Sequence, residues 1–355
     1  MTAQARSWLG LAAVVLAASM LVAGVDLALS AVVPPPGYPE AEDGLDDLQR
    51  GDPTVLVLGS SHLRSFEFVA GELARRTHGA QRLVAVPVDW GKASSYRWTW
   101  ENRLRPLVDQ ADPAGNRVRP SLRRVILVTQ WWDFRRLGPD DDPLVNLPAR
   151  AWTFTDWLAD VARDGVTPYN QNYVVHRWSR LFPFSALVQY RGRTAILDWL
   201  KGRASPERAA EALKARYRER LAGFRTYVER GADRLFDDAD VAAFHAMVSD
   251  WQARGIEVTV LLFPRMHGMI TDRARLAPIG RFSAWMAGQC RALGVPLIDL
   301  SWEHPLEDAD FGQDLDHPTD EANRRLAAWL LDGPMRFLVE GGEAAAGGIA
   351  PGGTP

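Results

Sequence analysis

The chain has 355 residues, of which 47% are hydrophobic and 24% are charged, and its formal net charge is −3 at pH 7. This balance excludes an intrinsically disordered chain, and it lacks the basic excess that is typical of nucleic-acid-binding proteins. The single cysteine, Cys290, excludes an intrachain disulfide framework and cysteine-rich zinc motifs.

The first part of the chain predicts a membrane anchor. Trp8–Val25 is an unbroken run of 18 residues without a formal charge. Its length suits a membrane-spanning helix of about 17–25 residues better than the roughly 7–15 apolar residues of a cleaved leader. We therefore expect residues 1–33 to form an uncleaved signal anchor. A cleavage site at Ala28–Ser30 remains the alternative.

The charges that flank this run predict its orientation. Arg6 precedes the run, whereas an acidic stretch follows it before the next basic residue, Arg50. Because positive flanks stay in the cytoplasm, we expect a single-pass inner-membrane protein whose larger part lies in the periplasm. Residues 34–53, which begin with Pro34-Pro35-Pro36, are interpreted as a stiff linker.

Five short apolar runs, rich in β-branched residues and bounded by polar residues, Gly or Pro, predict buried strands. They are Thr54–Leu58, Leu83–Val88, Arg124–Thr129, Glu257–Phe263 and Pro296–Leu300. Stretches with a helical pattern lie between and after them: Phe68–Arg76, Asp237–Arg254, Ile279–Leu293 and Asp320–Leu338. This alternation predicts an α/β fold with a parallel sheet of about five strands, covered on both faces, and with ligands at the carboxyl ends of the strands.

A long interval without a predicted strand follows the third strand. We interpret residues 134–235 as a helical insertion beside the site, because three stretches in it have a helical pattern: Ala149–Asp164, Ser185–Lys201 and Pro206–Arg230. The domain as a whole is expected to span residues 54–338. Residues 339–355, rich in Gly, Ala and Pro, are expected to form a disordered tail.

A serine block follows the first strand. Gly59-Ser60-Ser61 ends this strand and leads into a helix. At a helix N-terminus, free backbone N–H groups and the positive end of the helix dipole favour a developing oxyanion. Ser61 is therefore a candidate nucleophile. An ordinary turn capped by serine remains the alternative.

An Asp-x-x-His block follows the fifth strand. Asp314 and His317 are three residues apart, and Pro318 comes directly after them. At this spacing the carboxylate can orient one imidazole nitrogen, and the other nitrogen can then accept a proton from a hydroxyl. Thr319 is expected to cap the following helix. A purely structural Asp–His hydrogen bond is the alternative.

Taken together and in this order, the two blocks resemble those of the SGNH (GDSL-type) esterase and acyltransferase superfamily. The resemblance implies a flavodoxin-like, three-layer α/β/α fold. It also implies that Ser61 is the nucleophile, His317 the base and Asp314 the residue that orients the base. Gly91, after the second strand, corresponds to the oxyanion-hole glycine, and the Ser61 N–H is a second donor.

The third block of that superfamily, Gly-x-Asn-Asp, has no match here. Its place after the third strand reads Thr129-Gln130-Trp131-Trp132-Asp133, so the Gln130 amide is the candidate replacement for the missing Asn donor. With the Gly-Ser-Ser block and the N-terminal anchor, this Gln-Trp pair resembles the D-alanyl transfer (DltD) branch. The anchored proteins of alginate O-acetylation are similar in layout. This resemblance implies a membrane-bound O-acyltransferase as a partner.

Further polar residues lie close to the predicted site. Arg265 and His267 follow the fourth strand and are candidates for contact with an anionic or sugar substrate, with a plain loop as the alternative. His62, next to Ser61, has the same two interpretations. The remaining histidines lack metal-ligand spacing, and no phosphate-binding Gly-rich loop occurs, so we expect no metal and no cofactor.

The resemblance implies a serine-dependent ester hydrolase or O-acyltransferase that acts on a cell-envelope polysaccharide or another acylated glycan. The alternative is a non-catalytic scaffold of the same fold, which would bind a glycan or a membrane-bound O-acyltransferase. Neither function involves nucleic acid.

Overall fold

The computed structural model describes residues 39–88, 91–110, 121–135, 235–266, 277–311 and 317–341, together with isolated helical positions at 14, 17, 20, 21, 24, 158, 161 and 162. The chain divides into two compact units, Met1–Gly37 with Ala149–Ala209 and Tyr38–Pro148 with Ala210–Pro355. Every element below belongs to the second unit. The predicted anchor, the helices of the insertion and most of the C-terminal tail lie outside the described ranges, apart from those isolated positions. In the part of the chain that the structure describes, no helix has the length and apolar character needed to cross a membrane.

Five parallel strands form one sheet. They are β1 Val55–Gly59, β2 Leu83–Pro87, β3 Arg124–Thr129, β4 Glu257–Leu262 and β5 Leu297–Asp299. Their order across the sheet is β2-β1-β3-β4-β5, the order of flavodoxin-type doubly wound sheets. The predicted α/β fold with a five-stranded parallel sheet is confirmed, and each predicted strand end is right to within one residue.

Burial of the central strands explains why they could be predicted from the sequence. Every residue of β1 and of β3 is buried, because helices cover both faces of a parallel sheet. Strands in such a place have continuous apolar runs rather than alternating ones. At the amino end of the sheet, Arg124 of β3 forms an ion pair with Glu257 of β4.

The helices that the structure describes in this unit flank the sheet and connect its strands. They are α1 Pro39–Arg50, α2 Arg64–Arg76, α3 Ala93–Thr99, α4 Arg105–Val108, α5 Asp238–Ala253, α6 Ala277–Leu293, α7 Asp320–Asp332 and α8 Arg336–Glu340. A π-helical turn, Trp100–Leu104, joins α3 to α4. All four predicted helices are present, and the last of them is divided into α7 and α8.

This division falls at Gly333-Pro334. Proline lacks a backbone N–H and disfavours helical geometry in the residue before it, so a helix that reaches this pair must end. The Gly333 N–H still donates to the Trp329 carbonyl at 3.0 Å. The chain then turns and resumes as α8, which includes residues 339 and 340, the first two residues of the predicted tail.

Part of the predicted linker is instead helix α1, which packs against β2. Leu45 and Leu48 of this helix are buried in the core. At Gly44 the backbones approach so closely that a Cβ atom would lie 2.2 Å from the Ala85 carbonyl oxygen. The linker interpretation is therefore wrong for Pro39–Arg50. The apolar face of this helix is buried because β2 packs against it.

Right-handed crossovers place the helices on two faces. The chain moves in one direction across the sheet from β1 to β2 and in the opposite direction for every later connection, so α2 lies on the face opposite the later connecting helices. Accordingly, α2 packs with α7 and α8, whereas α5 packs with α3 and α6. The direction reverses between β1 and β3, and the crevice at their carboxyl ends is where ligands bind in such sheets.

Candidate active site

Ser61 lies at this crevice, directly beyond the end of β1. It opens a short 3₁₀ helix, Ser61–Leu63, which runs into α2. The glycine before it is required by close packing, because a Cβ atom at Gly59 would lie 2.3 Å from the Val128 carbonyl oxygen of β3. The Ser61 side chain is half-buried. The serine block is thus fixed to the middle of the sheet and presents its hydroxyl at the sheet's edge.

The structure brings Ser61 and His317 together. The Ser61 Oγ atom lies 2.8 Å from the His317 Nε2 atom, which is an ordinary hydrogen-bond distance. A base this close can take the hydroxyl proton as the oxygen attacks an electrophile. The two residues come from opposite ends of the domain, and the parallel sheet is what places both at one edge.

The start of α7 positions His317. Thr319 caps this helix, since its hydroxyl accepts from the Ala322 N–H at 3.4 Å, as the sequence predicts. The Thr319 N–H donates to the Asp310 carbonyl at 2.7 Å. Pro318 forms a β-bridge with Phe311. His317 is therefore attached on its C-terminal side to a helix end and to a neighbouring loop.

Asn323 connects the segment of His317 to the helix of Ser61. Its Oδ1 atom accepts a hydrogen bond from the Ser65 hydroxyl at 2.6 Å, and its Nδ2 atom donates to the Pro318 carbonyl at 3.2 Å. Asn323 is 5% exposed, so both bonds lie out of water. One amide therefore spans the two halves of the candidate site, a role that the sequence did not indicate because Asn323 looks like any polar helix residue.

Two predicted site residues, Asp314 and His267, lie outside the described residues. The role of Asp314 in orienting His317 and the role of His267 in substrate contact stay predictions.

Two predicted donors of the oxyanion hole, Gly91 and Gln130, lie after β2 and β3. The Gly91 N–H donates to the Val88 carbonyl at 2.9 Å, so this amide is already used within its turn. Gly91 is tightly packed, since a Cβ atom would lie 2.7 Å from the Tyr96 ring. Gln130 starts the 3₁₀ helix that follows β3, and its backbone N–H donates to the Asp133 carboxylate at 3.1 Å. Their participation in an oxyanion hole stays a prediction.

A buried ion pair secures the turn that contains Gly91. Lys92 and Asp240 of α5 form an ion pair, and both side chains are buried. The second Asp240 oxygen accepts from the Ser94 N–H at 2.9 Å. This pair therefore ties the start of α3 to α5.

Arg265 is buried near the site. It is 4% exposed, and its charge acts on the buried Asp133 carboxylate. Its predicted contact with a substrate stays a prediction. Its backbone carbonyl accepts from His304.

A buried polar layer, defined here as Ser60, His62, Tyr96 and Asp133, lies beneath the Ser61–His317 pair. The Thr129 hydroxyl donates to Asp133 at 2.7 Å. Burial raises the pKa of Asp133 to about 7, although hydrogen bonds from Thr129, Tyr96 and the Gln130 N–H and the charge of Arg265 act in the opposite direction. Burial, followed by the nearby Asp133 carboxylate, raises the pKa of Tyr96 well above its usual value.

Sequence reasoning missed Tyr96 and the role of Asp133 in this polar layer. Asp133 was visible only as the end of an unmatched third block, and Tyr96 had no signal that separated it from a core aromatic residue. Within the described ranges, no group of three His, Cys, Asp or Glu residues could hold a metal ion.

Comparisons with known proteins add a distant structural likeness. No protein-family model matches the chain, and no curated protein matches it. A crystal structure from Bacteroides fragilis, described as that of "a putative acylhydrolase", is similar with 10% sequence identity and a TM-score of 0.38, covering 84% of this chain and 96% of that one. At this TM-score the likeness supports no conclusion about the fold or the function of this chain.

Proposed function

We propose that this protein is a serine-dependent acyl-transfer enzyme, with Ser61 as nucleophile and His317 as general base. The observation that carries the proposal is the 2.8 Å contact between the Ser61 Oγ and His317 Nε2 atoms at the carboxyl edge of a parallel sheet. A hydroxyl is a weak nucleophile until a neighbouring base takes its proton. A contact of this kind, at a helix start where N–H groups lack intrahelical partners, suits attack on an ester carbonyl.

The reaction would proceed in two halves. In the first, Ser61 Oγ bonds to the ester carbonyl carbon while its proton moves to His317 Nε2, and the carbonyl oxygen becomes an oxyanion. The carbon–oxygen bond to the leaving alcohol then breaks, His317 returns the proton to that alcohol, and an acyl-serine remains. In the second half, the oxygen of water or of an acceptor hydroxyl bonds to the acyl carbon while its proton moves to His317. The bond from that carbon to Ser61 Oγ then breaks, and His317 returns the proton to Ser61 Oγ, which restores both residues.

The oxyanion would be stabilised by donors around Ser61. The backbone N–H of Ser61 opens the 3₁₀ helix, and Gln130 follows the neighbouring strand β3. Gly91 could contribute only if its N–H left the Val88 carbonyl. Losing one oxyanion donor costs about 10²–10³ in rate, so we propose Gln130 as the donor that takes the place of the absent Asn.

The finer proposal concerns substrate and location. The serine and histidine blocks resemble the SGNH superfamily, and the branch resemblance supports O-acylation or de-esterification of a cell-envelope polysaccharide. The apolar N-terminal run supports action on the outer side of the inner membrane. A membrane-bound O-acyltransferase would be the partner if transfer rather than hydrolysis is the task.

Labelling of the full-length chain with a fluorophosphonate tests the proposal. Wild type should be labelled at Ser61, whereas Ser61→Ala and His317→Ala should not. The matched control is Ser121→Ala, because the Ser121 hydroxyl donates to the Asp52 carboxylate near the opposite end of β1. If wild type is not labelled and does not cleave an acetyl ester, or if Ser61→Ala is labelled as fast as wild type, the proposal is wrong.

A further inference from the structure

His62 lies against the ring of the candidate base. The His62 and His317 rings are stacked with their centroids 4.7 Å apart and their planes only 16° apart. His62 also contacts the Phe263 ring, at a centroid distance of 4.5 Å and an angle of 46°. With 2% of its surface exposed, His62 is a core residue. It follows the nucleophile directly in sequence yet touches the base.

The ring of His62 is fixed independently of His317. Its Nδ1 atom lies 2.9 Å from the Ser60 hydroxyl, and this hydrogen bond is buried. Ser60 in turn neighbours the Tyr96 hydroxyl, whose oxygen lies 3.2 Å from the Gly91 carbonyl oxygen. The contact with Phe263, the hydrogen bond with Ser60 and the backbone of His62 together fix the plane of its imidazole ring. His317 therefore has a rigid flat surface beside it.

Such a surface matters because His317 must keep Nε2 directed at Ser61. Rotation of the His317 ring about its terminal side-chain torsion would move Nε2 away from the hydroxyl, and this type of torsion has broad minima. A parallel ring in contact on one side restricts that rotation. When His317 accepts the Ser61 proton, its positive charge also lies over an aromatic face, a favourable arrangement.

We propose that His62 is a positioning residue for the general base, holding the His317 ring parallel to its own so that Nε2 stays on Ser61. The inference rests on the proposed function, because it assigns a role within the same site. If His62 merely filled the core, its loss would lower stability, and the reaction rate of the folded fraction would not change.

Three substitutions separate the ring from the hydrogen bond. His62→Phe keeps a flat aromatic surface but loses the bond to Ser60. His62→Asn keeps a polar group near the position of Nδ1 but loses the ring. His62→Ala loses both. The matched control is His245→Ala, since His245 is a half-buried histidine on α5 whose Nε2 atom lies 2.7 Å from Gln289 Oε1.

The experiment measures fluorophosphonate labelling rates of the full-length variants, with kcat and KM for an acetyl ester and the thermal midpoint of each. A misplaced catalytic group can cost about 10²-fold in rate, so we expect His62→Ala and His62→Asn to lower the labelling rate and kcat by about 10- to 100-fold. KM should change by less than about 3-fold, because ground-state substrate binding is not altered. His62→Phe should stay within about 3-fold of wild type, since it retains the aromatic face. His245→Ala should match wild type.

The possible results are distinct. Labelling of folded His62→Asn at the wild-type rate would overturn the inference, and so would a His62→Phe as slow as His62→Asn. If His62→Ala does not fold, the Phe and Asn variants decide the question by themselves. Failure of wild type both to label and to cleave an acetyl ester would instead refute the proposed function, so the two failures are distinguishable.

Discussion

The amide of Asn323 offers the sharpest test of how the two halves of the site are joined. Asn323→Ala removes the hydrogen bonds to the Ser65 hydroxyl and to the Pro318 carbonyl. Ser65 and Pro318 are themselves buried, so water does not replace the lost partner. A buried group left unpaired costs about 1–3 kcal/mol. Because two such groups lose their partner, we expect the free energy of unfolding to fall by about 2–6 kcal/mol.

A double-mutant cycle apportions this loss. Ser65→Ala leaves one Asn323 oxygen unpaired and should cost about 1–2 kcal/mol by itself. The double variant should then be more stable than the sum of the single changes predicts, with a coupling of about 1 kcal/mol. Urea denaturation of the full-length variants gives these values. The matched control is Asn102→Ala, whose side chain donates to the Trp98 carbonyl at 2.9 Å in an exposed place and whose loss should stay within about 0.5 kcal/mol.

The same change should weaken the chemistry. Because Asn323 ties the segment that carries His317 to the helix that carries Ser61, the folded Asn323→Ala protein should react with a fluorophosphonate about 10- to 100-fold more slowly. Zero coupling between positions 65 and 323, together with wild-type labelling by folded Asn323→Ala, would refute the reasoning that this amide joins the two halves.

Three further predictions concern the surroundings of the site. Folding raises the pKa of Asp133 from 3.8 to about 7, so the folded protein binds this proton more tightly than the unfolded chain does. The resulting contribution to the free energy of unfolding is complete below pH 4 and is lost as the pH rises through 7. At about 1.4 kcal/mol per pKa unit, wild type should lose about 4 kcal/mol relative to Asp133→Asn across that window; parallel pH–stability curves from urea denaturation would contradict this. Gly59→Ala should lower the free energy of unfolding by about 1–3 kcal/mol through overpacking against the Val128 carbonyl and should lower the labelling rate of Ser61, whereas unchanged thermal unfolding would show that β1 and β3 separate easily. Lys92→Met should cost about 3–5 kcal/mol because it leaves Asp240 charged and buried; in denaturant unfolding the Lys92→Met/Asp240→Asn double variant should be more stable than the single one, and the opposite order would refute the account.

Local sequence patterns predicted the strands because each strand's environment is uniform. A strand buried on both faces must be apolar throughout, and β3 was therefore predicted over the same bounds, Arg124–Thr129, that the structure has. Helix α1 was missed for the converse reason. Among the residues of this helix whose burial is described, the buried apolar side chains are Leu45 and Leu48, and nothing near them in sequence shows that β2 packs there.

Local sequence features were enough to predict the order of strands and helices and the two blocks that contain Ser61 and His317, because propensity, apolar runs and turn residues act over a few neighbouring positions. Packing of the sheet and its helices sets which polar groups meet: the His62 ring against His317, Asn323 between Ser65 and Pro318, and the buried Arg265 near Asp133. These contacts join residues that lie far apart in the chain, and their geometry depends on how the sheet and its helices pack. No local pattern encodes such distances, and for that reason they could be read only from the fold.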